Sequence, residues 1–304
     1  MHVKRTLFVA VALFSLVRLA RADELEDSYT KLKEAVAKKD ADAVKAEGAA
    51  TFKLAQAAVN AQQPSDAEQV NDWKARVEYG KEVIGYTEYA LAYMATQGLE
   101  PAKTVELVEA LIVENPKSKY LDQCAPAYLA ALGKSGAAKQ LDGMTKIVAG
   151  RPDNEVALAA LAEGLANKSP DRALGYANRL VAVLRTKGKP EGISDADWEK
   201  AKTTGLATGY YVAGLINGGK SAWVDCDRDL KAALPLVHDN YRLGIVYFYL
   251  GLANYQLGKM TIDKPRMQIG LKYSQQSAAI AGPMQAQASH NVNAIQNELQ
   301  GRRQ

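Results

Sequence analysis

The chain has 304 residues, with 38 Lys plus Arg against 34 Asp plus Glu, 48% hydrophobic residues and only 7% aromatic ones. That composition excludes a disordered or collagen-like chain and is long enough for a large core or for two ordinary domains. The net charge of +4 lies entirely at the start, because Lys4, Arg5, Arg18 and Arg21 have no acid among the first 22 residues and the remainder is neutral. A neutral remainder lacks the electrostatic footprint of a nucleic-acid binder and takes away the default reason to expect an anionic membrane partner.

In chain order, the first element is a leader. Met1 to Arg5 form a short positive segment, Leu7 to Val17 an apolar run, and Ala20-Arg21-Ala22 the small-residue site that a signal peptidase needs, so cleavage is expected before Asp23. Eleven apolar residues of helix span only about half of a bilayer's hydrocarbon core, which favours a cleaved leader over an uncleaved anchor and predicts no stable membrane span afterwards. The mature protein is therefore expected to be exported, either periplasmic or secreted. In an oxidising compartment Cys124 and Cys226 could pair; the favoured alternative is that both are small buried hydrophobes.

After Asp23 the pattern is helix after helix, separated by Gly, Pro, Asn and Ser. The expected helices lie near 25–39, 41–61, 66–97, 101–114, 118–133, 137–149, 154–167, 170–186, 194–217, 221–236, 240–258, 266–281 and 284–300. Val105, Val108 and Ile112 beside Leu107 and Leu111 give one apolar face; Leu121, Cys124, Tyr128 and Leu132 give another; Leu174, Ala177, Val181 and Leu184 a third. Ser65 and Ser194 each open a capping box, Ser169-Pro170 puts a cap before a first-turn proline, and no period-2 strand run interrupts the series. Pro116, Pro152 and Pro190 recur at intervals close to those of helical-hairpin repeats, which predicts an all-α solenoid of about thirteen helices.

Tyr247, Leu250, Gly251, Ala253 and Gly258 fall at the spacing of a tetratricopeptide-repeat first helix, and the stretch 240–283 resembles one such repeat. The resemblance implies that Gly251 lets the next helix approach closely, that Gly258 turns the chain, and that Ile245, Phe248, Leu252 and Tyr255 face the groove used for ligands. Asn254 departs from the pattern, standing where the family prefers an aromatic. About eight extra residues, around Thr261 to Met267, are expected before the second helix. The implied fold is an α–α superhelix, divided as leader 1–22, N-terminal helical hairpins 23–97, tetratricopeptide-like repeats 98–283 and a C-terminal capping helix 284–304.

Chemistry is sparse by comparison. Gly214 to Ser221 satisfies G-x-x-x-x-G-K-S, the phosphate-cradling P-loop, but no strand series surrounds it; the competing reading is that Gly218 and Gly219 end one helix and Ser221 caps the next. His238 lies in a turn, Glu78, Glu82 and Glu88 on a charged helix, and no metal, cofactor or nucleophile motif appears. Tyrosine is the positive hint: it supplies 15 aromatics against 4 Phe and 3 Trp, with groups at Tyr86, Tyr89 and Tyr93 and at Tyr210 and Tyr211. The expectation is thus a non-catalytic adaptor needing no cofactor, with a protein or peptide partner and Tyr255, Phe248 and Tyr211 as its binding residues. An enzyme or ligand receptor for cell-wall material, built on a helical scaffold, is the alternative.

Overall fold

The computed structural model describes residues 24–301. The predicted leader and the basic pair Arg302-Arg303 lie outside the described residues. Among the described residues there are thirteen α-helices and no strand, so the fold is all-α. No helix among them is long and apolar enough to cross a membrane.

The chain divides into two compact units, Met1–Pro152 and Asp153–Gln304. The first contains α1 (24–37), α2 (Ala41–Val59), α3 (Ala67–Ala95), α4 (Pro101–Glu114), α5 (Leu121–Gly133) and α6 (Ala137–Gly150). The second contains α7 (Glu155–Leu165), α8 (Pro170–Thr186), α9 (Asp195–Gly219), α10 (Trp223–Ala233), a 3-10 turn (Leu234–Leu236), α11 (Asn240–Thr261), α12 (Lys264–Ala278) and α13 (Gln285–Leu299). Within each unit a helix packs chiefly on the next one in sequence, the order expected of stacked hairpins. In the second unit α7 also touches α9, α9 touches α11 and α11 touches α13, so its odd-numbered helices form one layer.

Local chemistry sets the boundaries. Asp40, Asp66, Asn154, Ser194, Asp239 and Asp263 cap α2, α3, α7, α9, α11 and α12 by accepting first-turn backbone N–H bonds. Ser65 is therefore not the cap of α3; the Asp66 carboxylate next to it takes the N–H of Glu68. On α5 the expected face, Leu121, Cys124, Tyr128 and Leu132, is buried. On α4 Leu107, Val108 and Leu111 are buried while Val105 and Ile112 are half-buried. On α8 the buried line is Ala173, Ala177, Leu180 and Leu184, so the expected Leu174 and Val181 lie at its edge, half-buried.

The hairpin of α11 and α12 departs from expectation in an instructive way. No eight-residue insertion separates the helices: α11 continues to Thr261, Ile262 takes a left-handed conformation with φ 57°, and Asp263 caps α12. Gly258 accordingly does not turn the chain but lies inside α11. Gly251 does permit the close approach, because a Cβ there would stand 2.9 Å from the backbone N of Ser274 on α12. Its counterpart Gly270 leaves no more room, since a Cβ would stand 2.7 Å from the backbone N of Tyr255.

Candidate partner-binding surfaces

In the first unit, Tyr79, Tyr86, Tyr89 and Tyr93 are spaced by seven, three and four residues, which places them on one face of α3. Tyr29 from α1 meets this face, with ring centroids 6.3 Å from Tyr79 and 5.2 Å from Tyr86. Tyr86 contacts Tyr89 at 5.9 Å, and Tyr89 contacts both Tyr93 at 5.7 Å and Tyr120, at the start of α5, at 5.8 Å. The result is a ladder of six rings across three helices, in the edge-on and offset arrangements that aromatic pairs favour. Lys33 sits over the Tyr29 ring at one end, 4.3 Å from its centroid, and Lys119 over Tyr120 at the other, at 5.1 Å. Tyr89 at the centre is the most open, 38% exposed. Burial raises the hydroxyl pKa values of Tyr29, Tyr79 and Tyr86, so these groups stay protonated hydrogen-bond donors.

In the second unit a cavity of about 510 Å³ opens between α9 and the segment leading into α11. Glu199, Thr203 and Thr208 line one side; His238, Asp239 and Arg242 line the other. Asp239 is fixed there because it caps α11 through the N–H of Arg242, at 2.7 Å. The Arg242 guanidinium donates to Glu163 at 3.1 Å and lies over the Tyr211 ring, 5.2 Å from its centroid. Burial pushes the Tyr211 hydroxyl up to about 12. Hydroxyls and charges of both signs around an open cavity of this size can orient a small polar ligand.

The three residues singled out for partner binding fall in different surroundings. Tyr211 packs at the edge of the core made by Cys226, Leu230, Val246, Leu250 and Ala253. Phe248 is buried, with its ring edge-on to Tyr249 at 5.3 Å. Tyr255 is half-buried and donates its hydroxyl to the Glu298 carboxylate on α13. The ladder residues Tyr29, Tyr79 and Tyr120 were not among the sequence candidates; the seven-residue steps from Tyr79 through Tyr86 to Tyr93 were the available signal.

The P-loop pattern is absorbed by the helix. Gly214 to Gly219 lie in α9, and the backbone N–H groups of Lys220, Ser221 and Ala222 already donate to carbonyls of that helix. Its N–H groups therefore cannot cradle a phosphate. The Lys220 ammonium pairs with Asp171. Ser221 adopts φ 59° and caps nothing: α10 starts from Ala222 with no side-chain cap. Gly214 and Gly218 serve packing, since a Cβ would meet Leu230 and Tyr249 at 2.5 Å each. Cys124 and Cys226 are both free and buried, one in each unit, and burial pushes each thiol up to about 12. No group of three His, Cys, Asp or Glu among the described residues is placed to hold a metal ion.

Of the carboxylates expected on a solvated face, Glu78 and Glu82 are exposed and Glu88 is not. Glu88 is buried, and its Oε1 accepts from Asn115 Nδ2 at 2.9 Å. Glu114 at the end of α4 has an Oε2 atom that is buried and without a hydrogen-bond partner; burial, with the Glu88 charge second, lifts its pKa to about 7. In the second unit Asp227 accepts from Asn254 at 2.6 Å and from Lys231 at 2.7 Å, and Asp229 from Asn217 at 2.9 Å and Arg228 at 2.8 Å. Asn254 thus has a structural reason for standing where the repeat family prefers an aromatic: its amide satisfies a buried acid on α10. No protein-family model matches the chain, and neither does any curated protein.

Proposed function

We propose that the protein is an exported, non-catalytic scaffold of tetratricopeptide-like hairpins that holds a protein or peptide partner. The observation that carries this reading is the tyrosine ladder of the first unit. Six aromatic rings form a strip of apolar faces and polar tips, the residue chemistry enriched at recognition surfaces. Stacked helical hairpins present such a strip over several helices, and the leader-like first 22 residues support export to a periplasm or to the outside. The neutral balance of the remaining chain supports a protein partner over a nucleic acid.

The test is a photo-crosslinking residue placed at Tyr89, compared with one at the exposed Val113 on α4, in the native cell envelope. A discrete protein adduct that depends on position 89 is expected. Identical adduct patterns at the two positions would remove the ladder as the binding surface.

The cavity beside Glu199, His238 and Arg242 favours a second reading, in which the helical scaffold is a receptor or enzyme for cell-wall fragments. Saturable binding of soluble muropeptides, lost in Glu199→Gln, would support it. An unchanged heat signal across the titration would remove it.

A further inference from the structure

The cavity between α9 and the segment leading into α11 changes character from its mouth inward. Glu199 and Lys200 at the mouth are exposed, Thr203 one turn on is half-buried, and Thr208 is only 6% exposed. Ala207 beside it and Val237 from the other wall are buried too, so the inner end is apolar apart from one hydroxyl. No described residue hydrogen-bonds the Thr208 hydroxyl, although a buried polar group left without a partner costs stability.

The charges around the mouth divide into engaged and free ones. Asp239 caps α11, and Arg242 pairs with Glu163 and covers the Tyr211 ring, so the fold already uses both. Glu199 and Lys200, neighbours on α9, have no ion-pair partner among the described residues. One free anion beside one free cation suits a ligand whose ammonium and carboxylate share a carbon. His238 on the other wall can hydrogen-bond either end and does not select between them. Lys200 and Thr208 are eight positions apart, a rise of about 12 Å along α9 and close to the length of an aromatic amino acid with a hydrogen bond at each end. A sugar ring fits less well, because it carries hydroxyls around its whole edge and the apolar inner end would leave most of them unbonded.

We infer, resting on the second reading above only in that the cavity is a ligand site, that it binds a free aromatic amino acid with a polar ring tip, tyrosine being the simplest. The ammonium meets Glu199, and the carboxylate meets Lys200 and the Thr203 hydroxyl. The ring lies between Ala207 and Val237, and the phenol hydroxyl bonds that of Thr208. Each ligand group then meets a cavity group that the fold leaves unused.

Calorimetry on the full chain compares tyrosine, phenylalanine, N-acetyltyrosine and tyrosine amide. Saturable binding of tyrosine is expected, with each of the other three about tenfold weaker because each lacks one bonded group. Thr208→Val should bring tyrosine down to the level of phenylalanine, and Thr208→Ser should keep the two apart. Glu199→Gln should remove the preference over N-acetyltyrosine, and Lys200→Gln the preference over the amide; both sites are exposed, so these variants fold even if Thr208→Val does not. Tyrosine and phenylalanine binding the parent equally overturns the inference, as does the absence of heat from both. In the latter case muropeptide binding would keep the cavity as a site for cell-wall fragments, and its absence would remove the cavity as a ligand site altogether.

Discussion

Both units bury carboxylates, and they do so on opposite terms. In the second unit Asp227 and Asp229 each receive a buried amide and a cation, so the charge is met from two sides. In the first unit Glu88 receives one amide, and Glu114 has a bare buried oxygen beside another carboxylate. What a buried acid does to a fold depends less on its depth than on the donors aimed at it. The second unit's acids tie α9, α10 and α11 together; in the first unit the raised pKa of Glu114 makes the end of α4 sensitive to protons.

The comparison breaks most severely at Asn254. Asn254→Leu should destabilise the second unit by about 2–3 kcal/mol, because the buried Asp227 loses its amide donor while keeping its charge. Urea unfolding followed by hydrogen exchange in α10 and α11 would register it, and a loss below about 0.5 kcal/mol would mean that Lys231 and the Arg266 guanidinium, 3.5 Å from the Asp227 carboxylate, suffice.

Glu114 should respond in the other direction. Glu114→Leu is expected to stabilise the first unit at pH 8 by about 1–2 kcal/mol, less than its full pKa displacement would give because part of the group still faces water. The same residue sets a pH dependence. Between about pH 4.5 and 7 the folded chain keeps a proton on Glu114 that the unfolded chain has released. Stability therefore rises as pH falls through that window, is complete below about 4.5 and is lost above 7. Melting curves from pH 8 to 5 for the parent and for Glu114→Gln should diverge at the alkaline end and converge at the acid end; parallel curves would contradict the assignment. Glu88→Gln should lower the Glu114 pKa only in part, since burial is the larger cause and the Glu88 charge the smaller; carboxyl NMR titration would separate the two.

The smallest expected change in stability is at the ladder. Tyr89→Ala opens the exposed centre of the strip and should cost under about 1 kcal/mol of stability, while removing the adduct formed by a crosslinking residue placed instead at Tyr93. An equal loss of adduct after Tyr255→Ala would place the binding surface in the second unit as well.

Helices were easy to read from this chain, and their side-chain environments were not. Pro101 and Pro170 mark the starts of α4 and α8 because a proline suits a first turn. The end of α11 was misplaced because a left-handed cap normally announces itself with glycine, and here an isoleucine occupies it. Asp263, with Pro265 two residues on, was the usable sign that α12 begins earlier. Glu88 looked solvated because α3 carries charges around much of its circumference, and the groups that bury it, among them Asn115, lie on a different element. The ladder was half visible: a helical spacing reveals the tyrosines of α3, but Tyr29 and Tyr120 join them only through tertiary packing.

The two thiols make folding order matter. Cys124 and Cys226 lie in separate units, and each is closed off by its own core. Disulfide exchange requires an accessible thiolate, so a bond between them can form only while both units are still open. In an oxidant the chain is therefore in a race: whichever unit closes first withdraws its cysteine, and from then on cross-linking within the molecule is shut off without any reductant.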